Sequence, residues 1–335
     1  MKEKGKEKGK NLSFLFLVPF LFMLASCVHI SVSPQTKPLQ EKLIEGQGRP
    51  KILLLDLDGV ISFSGKKAGI GAASQPSPVA YFKEALVKAQ ADKNIAGLII
   101  RIDSPGGGVT ASDVIYHEIM AFKKKKKVPV YAYIMDVGAS GGYYVAQAAD
   151  RIIASPTALT GSIGVIAMKF DIQGLMSKVG VREETYKSGP EKDFWSPFRP
   201  STPQEKQMLQ GIINNLFARF LDIVGKNRQK NAKLSRQQLM ALADGRIFTA
   251  DQALKDGLID REAYLDDAIG SMKKSLGIQK ARVVTYLRPS EFKPTVYSTA
   301  LFETEGKTAD QELFSLYMGS LWPKPGVEFM YLWNP

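Results

Sequence analysis

From Lys51 onward, short apolar runs alternate with amphipathic stretches, and this alternation limits the fold more than any other feature of the chain. "KILLLDLDGVI" is followed by a helical pattern near "VAYFKEALVKAQ", then "IAGLIIRID", then "SDVIYHEIMAFKKKK", then "VPVYAYIM". Strands apolar on both faces need cover on both, and intervening helices supply it, so the pattern predicts an α/β fold with a mostly parallel sheet. Further strands are expected at "RIIASP", "SIGVIAM" and "REETYKS", with a short helix at "IQGLMSKV". A long helix is expected after Ser201-Thr202-Pro203, its stripe of Met208, Ile212, Leu216, Phe220 and Val224 forming core or a subunit contact. "SRQQLMALADG", "TADQALKDG" and "EAYLDDAIGSMKKSLG" read as helices, "ARVVTYL" as a strand, and a Pro- and aromatic-spotted tail ends in "FMYLWNP". With 335 residues, 44% of them apolar, there is material for one large α/β domain or two ordinary ones.

The first residues have a different character. "MKEKGKEKGKN" is Lys-rich, and "LSFLFLVPFLFML" is an apolar run too short for a comfortable membrane span, so the segment reads as an export signal. Its end, Leu24-Ala25-Ser26-Cys27, resembles the bacterial lipoprotein cleavage box, in which the Cys becomes the lipidated first residue. Cys27 is the chain's one cysteine, which excludes a disulfide scaffold. Lipidation at Cys27 is preferred over an uncleaved membrane anchor. Residues 28–50 are polar with Pro and Gly and no clear period, as in a tether. Net charge is +12, and loss of the five Lys and two Glu before the box leaves +9. Lys123 to Lys127 end a helical stretch, where cations complement the helix dipole. No aromatic residues interleave with that run, so nucleic acid is not an expected partner.

Four motifs offer chemistry. "DLDGVI", with Asp56 and Asp58, looks like the opening of haloacid-dehalogenase-type phosphatases, but the later acidic pair, Asp266-Asp267, falls in a helical pattern instead of at a strand end. Gly138-Ala139-Ser140-Gly141-Gly142 fits the G-x-S-x-G elbow of α/β-hydrolases, which needs a later His. The chain has only His29 and His117, both before Ser140, and His117 belongs on a helix surface. A serine without His needs another base, and Lys is the usual substitute. Only about one ordinary Lys in a thousand is neutral near pH 7.4, so the base belongs in a dry, apolar corner. Lys192 in "SGPEKDFWSPF" has Phe194, Trp195 and Phe198 as neighbours. "IIRIDSPGGGVTAS" lacks the ending of a P-loop and the spacing of a dinucleotide site. Its Gly106, Gly107 and Gly108 suit an extended substrate laid along bare backbone, with N–H groups free for an oxyanion.

In order, "IDSPGGGV", "GASGGYYVA", "TGSIGVI" and "YKSGPEKDFWSPFRP" resemble the signal peptide peptidase A (protease IV) family of bacterial serine proteases, over roughly Lys51 to Ile259. "GRIFTADQALKDGLID" resembles that family's segment after the long helix. The resemblance implies a crotonase-like, Clp-protease-like repeated ββα spiral with a C-terminal helical portion. It implies Ser140 as nucleophile, Lys192 as general base, Ser162 as the hydroxyl holding that Lys, and Gly107 and Gly141 as oxyanion donors. Lys187 remains the competing base. A single "SPGGG" and a single "ASGG" match the family's short form, in which identical subunits build a ring and Ser and Lys meet across a subunit boundary. Implied substrates are signal peptides left in the membrane and misfolded exported protein, cut without metal, nucleotide or other cofactor. The family is usually held by an uncleaved anchor, from which a lipidated Cys27 would depart.

The expectations are therefore a signal segment at 1–27, a tether at 28–50, a protease domain at 51–280 and a terminal strand and tail at 281–335. The expected activity is that of a serine endopeptidase in the bacterial cell envelope, tethered to a membrane with its catalytic domain outside the cytoplasm. A catalytically silent crotonase-like scaffold or binding subunit is the alternative from another class.

Overall fold

The computed structural model describes residues 37–65, 76–289, 291–292, 295–298, 301–302 and 329–333. The expected signal segment, Cys27 and the first part of the expected tether lie outside the described residues. Strand β1 (Gln40–Gly46) leads to β2 (Lys51–Asp58), and helix α1 (Pro78–Ala91) connects it to β3 (Ile95–Ser104). Pro105 separates β3 from the glycine strand β4 (Gly106–Gly108), which runs into α2 (Val109–Lys126) and then β5 (Val130–Ala139). Next come α3 (Gly141–Ala146), β6 (Arg151–Ala154), β7 (Leu159–Gly161), α4 (Gln173–Lys178), α5 (Pro203–Ala232) and α6 (Arg236–Leu242). The order closes with β8 (Ile247–Thr249), α7 (Ala250–Lys255), β9 (Arg261–Glu262), α8 (Leu265–Ser275), β10 (Arg282–Leu287), β11 (Glu291–Phe292), β12 (Leu301–Phe302) and β13 (Met330–Leu332).

The main sheet has the order β1-β10-β2-β3-β5-β6-β9, with β7 beside β5 and β8 beside β7. It is parallel from β10 to β9 and antiparallel at β1–β10 and β7–β8. Both faces are buried, as the doubly apolar runs require. Leu53, Leu55, Ile100 and Ile102 pack with Ile115, Ile119, Tyr144 and Phe220, whereas Ile52, Leu54, Ile99 and Tyr133 pack with Leu265, Ile269 and Met272 of α8. The α/β class and the mostly parallel sheet are as expected, with α5 to α8 forming the helical portion that follows.

Several boundaries differ from expectation. Residues 40–46, read as tether, form β1, because β10 offers an antiparallel edge on which Gln40, Lys42 and Glu45 stay at the surface. The sheet also passes the expected boundary at 280, since β10 lies between β1 and β2. "SIGVIAM" is not a strand: Ser162 takes φ 49°, which turns the chain out of the ladder after β7. "REETYKS" lies exposed and, among the described residues, pairs with no strand. Lys123 to Lys126 end α2 as expected, Lys127 caps it in the left-handed conformation, and Lys123 pairs with Asp150 at 2.6 Å.

Candidate active site

Ser140 stands where β5 gives way to α3, at φ 50° and ψ −111°, a conformation rarely taken by a residue with a Cβ. The turn is held from both ends. Ser140 N–H donates to the Gly161 carbonyl at 2.8 Å, and the Ser140 carbonyl accepts from Tyr144 N–H at 2.8 Å, beginning the helix. Thr160 Oγ1 fixes the strand just before it by donating to the Gly138 carbonyl at 2.7 Å. β5 and β7 run parallel with Ala139 opposite Gly161, so Ser140 and Ser162 follow side by side at the two strand ends. Both serines are buried, and Ser162 also has a positive φ, pinned by its N–H to the Arg246 carbonyl at 2.7 Å.

The glycine strand closes in from the other side. Ile61 bridges Gly107 in parallel register: Ile61 N–H donates to the Gly106 carbonyl at 2.8 Å, and Gly108 N–H donates to the Ile61 carbonyl at 2.9 Å. The N–H and C=O of Gly107 therefore face away from Ile61, because successive peptide groups of a strand point to opposite edges. Gly106 needs its φ of +103°, and a Cβ there would lie 2.6 Å from Gly141 N. Gly106, Gly107 and the first N–H groups of α3 are thus neighbours around one small space. A Cβ on Gly107 would meet the Ile61 carbonyl oxygen at 2.1 Å, so this strand is glycine for close backbone approach. Along the free edge of β4 runs β13, antiparallel, with Tyr331 opposite Gly107.

Residues 122–279 match the family described as Peptidase family S49. The chain is similar to a signal peptide peptidase SppA of Enterococcus faecium, with 36% identity over 74% of this chain and 70% of that protein. It is also similar to a protease of Synechocystis sp., 36% identical over 66% of this chain and 72% of the other. The chain belongs to the signal peptide peptidase A family, peptidase family S49. A ClpP1 mutant from Listeria monocytogenes aligns over 64% of this chain and 94% of its own at 16% identity and a TM-score of 0.42. As a member of family S49 the protein is a peptidase. The matched span holds Ser140, Ser162 and Lys192, whereas Gly107 precedes it.

The structure brings together Ser140, Gly141, Ser162 and Gly107, and carries Lys192 on a different segment. Lys192 lies on a short 3-10 turn, Pro190–Asp193, with its side chain exposed. The dry, aromatic corner expected around it is absent within one chain: Phe194 and Trp195 tilt toward each other at 6.2 Å, and Phe198 is exposed. Lys187, the competing base, donates to Asp193 Oδ1 at 2.7 Å and to the Pro190 carbonyl at 3.0 Å, which closes the turn.

Reading residues one at a time also missed a clamp on this segment. Arg199 donates to Asp193 Oδ2 at 2.8 Å and to both Glu205 oxygens, at 2.6 and 3.0 Å, tying the Lys192 turn to the start of α5. Hydrogen bonding from Arg199 holds the buried Glu205 carboxyl down at about 2, against the opposing effect of burial, and Thr202 N–H adds to it. Hydrogen bonds from Arg199 and Lys187 likewise hold Asp193 well below the usual carboxylate range. The signal available was Thr202-x-x-Glu205, a capping box that the structure forms.

The other motifs are absorbed by the fold. Asp56 pairs at 3.0 Å with the fully buried Arg101, whose guanidinium also donates to the carbonyls of Val296 and Ser298. Asp266 and Asp267 lie in the first turn of α8, and His117 is exposed on α2. Among the described residues no group of three His, Cys, Asp or Glu is placed to hold a metal ion.

Proposed function

We propose that this peptidase is a serine endopeptidase in which Ser140 attacks the substrate carbonyl and Lys192 acts as general base. Lys192 takes the hydroxyl proton and returns it to the leaving amine, Ser162 orients the Lys, and the N–H groups of Gly107 and Gly141 bind the oxyanion. The observation that carries this reading is the left-handed turn at Ser140, which presents a hydroxyl at a helix start beside bare glycine backbone. Such strain persists where the surrounding structure over-determines it, and the hydrogen bonds on both sides of Ser140 do so.

Exposure of Lys192 supports completion of the site by a second copy. The same segment carries Phe170, Leu175, Val179, Val181 and Tyr186 exposed, an apolar load unusual for a free surface. Docked on a neighbouring subunit, it would dry the surroundings of Lys192, as a neutral Lys requires. The substrates proposed are signal peptides left after export, and misfolded exported protein. Cys27, as a lipid anchor, or the apolar segment before it would hold the enzyme at a membrane of the bacterial envelope. Among the described residues no helix is long and apolar enough to cross a membrane.

The test compares cleavage of a short apolar reporter peptide by the parent, Ser140→Ala and Lys192→Ala proteins, each checked for assembly by light scattering. Both variants should assemble and lose at least about a thousandfold in kcat, the scale of losing one member of such a pair. Near-full activity of Lys192→Ala would transfer the base role to Lys187. An assembled parent inert on varied peptides would favour a silent scaffold.

A further inference from the structure

Five non-glycine residues among those described have a positive φ. Two of them, Lys127 and Lys233, are left-handed caps that close α2 and α5. The other three are Ser140, Ser162 and Trp195, the last at φ 69° and only three residues after Lys192. Strain of this kind collects at functional sites and persists where the surroundings over-determine the backbone. The strain at Ser140 and Ser162 belongs to the site already described, so that at Trp195 marks the Lys192 turn as a built part of the molecule.

Arg199 supplies the over-determination. Its guanidinium grips Asp193, the residue next to Lys192, by both carboxylate and main chain, donating to Oδ2 at 2.8 Å and to the carbonyl at 3.3 Å. The same carbonyl accepts from Ser196 N–H at 3.0 Å, and Lys192 N–H donates to the Gly189 carbonyl at 3.2 Å. The remaining guanidinium contacts, to Glu205, anchor the turn to α5.

The charges around Lys192 are balanced. Glu191 and Asp193 flank it on the turn, Lys187 precedes it, Arg199 follows it, Glu205 faces it from the start of α5, and Lys169 donates to the Arg199 carbonyl. Glu191 makes no ion pair among the described residues. Asp193 is met by two cations, Lys187 at 2.7 Å and Arg199 at 2.8 Å, and Glu205 by Arg199 at 2.6 Å. These two cations and two carboxylates sum to zero. A carboxylate near a lysine favours the ammonium, the wrong form for a base. Hydrogen bonds from Arg199 and Lys187 keep Asp193 ionised through the neutral range, so its charge is cancelled by those cations and not by protonation.

We infer that Arg199 is the positioning residue of the general base: it fixes the Lys192 turn through Asp193 and, with Lys187, cancels the carboxylate charge that would otherwise favour the Lys192 ammonium. The inference rests on the proposed role of Lys192. Loss of Arg199 leaves the cluster with one net negative charge, so the base loses its proton at higher pH. Loss of the Asp193 charge leaves one net positive charge and has the opposite effect.

The test is the pH profile of kcat/KM for reporter cleavage by assembled proteins. Arg199→Gln should move the acid limb up by about one pH unit, lowering kcat/KM below the limb about tenfold, and Asp193→Asn should move it down. Arg199→Lys should return the limb toward the parent, and Arg199→Gln with Asp193→Asn should restore its position at a lower plateau. Should Arg199→Gln fail to assemble, Lys187→Met removes the other cation and should also move the limb up. Single variants that lower the plateau without moving the limb, or move it in the same direction, overturn the inference and leave Lys192 as the base. Parent-like activity of Lys192→Ala with an unmoved acid limb defeats the assignment of Lys192 itself.

Discussion

Ser140 stores strain that a glycine at the same position would not. Its φ of 50° with ψ of −111° costs a non-glycine residue about 1–3 kcal/mol, whereas glycine enters that region freely. Ser140→Gly is therefore predicted to abolish reporter cleavage while raising the thermal stability of the assembled protein by about 1 kcal/mol, and Ser140→Ala to abolish cleavage without that gain. Calorimetry of the three proteins checks it. At this scale the sequence was informative about identity and silent about environment. Small residues around Ser140 and the run of three glycines marked a site where backbone approaches backbone. The aromatic neighbours of Lys192 misled, because adjacency along the chain does not decide whether rings pack on the Lys or on each other. The pairing of Tyr331 with Gly107 was not legible, since the tail strand lies on an edge formed more than two hundred residues earlier.

The segment from Lys187 to Glu205 shows how an element is held without a sheet or a core of its own. Arg199 joins Asp193 to Glu205, and Lys169 donates to the Arg199 carbonyl at 2.6 Å and to Ser201 Oγ at 3.0 Å. Both carboxylates titrate below their ordinary values in the folded chain, because the charged form is the one hydrogen bonded to Arg199. A carboxyl lowered on folding contributes stability above its unfolded value, near 4.5 for Glu205, and that contribution is lost as pH falls through its folded value, about 2. The segment is thus predicted to loosen across that window, and Arg199→Gln to loosen at a higher pH. Trp195 emission, in a protein with Trp322 and Trp333 replaced by Phe, reports it, and coincident acid transitions in the two proteins would count against the clamp. The doubly apolar strands and the long helix were legible because burial on both faces and an apolar stripe after Ser201-Thr202-Pro203 are local patterns. "SIGVIAM" and "REETYKS" were not, because strand-like composition forms a strand only where an edge is free to receive it.

The whole molecule is an α/β sheet whose expected class followed from the alternation after Lys51, whereas its limits did not. β1 and β10 add themselves to one edge and β13 to the glycine strand through pairings between distant parts of the chain, for which periodicity holds no information. One chain supplies the serine, its neighbouring hydroxyl and the glycine backbone, and leaves the lysine exposed on a segment rich in uncovered apolar side chains. In the proposed mechanism Ser140 of one subunit works with Lys192 of another. The most direct measurement co-expresses Ser140→Ala with Lys192→Ala and assays the mixed assembly on a reporter peptide. Neither variant alone should cleave it, and random mixing in a closed ring should restore about a quarter of the sites, each pairing an intact serine from one chain with an intact lysine from the other. A mixed assembly as inactive as its parts would contradict the claim and place the base on the same chain as the serine.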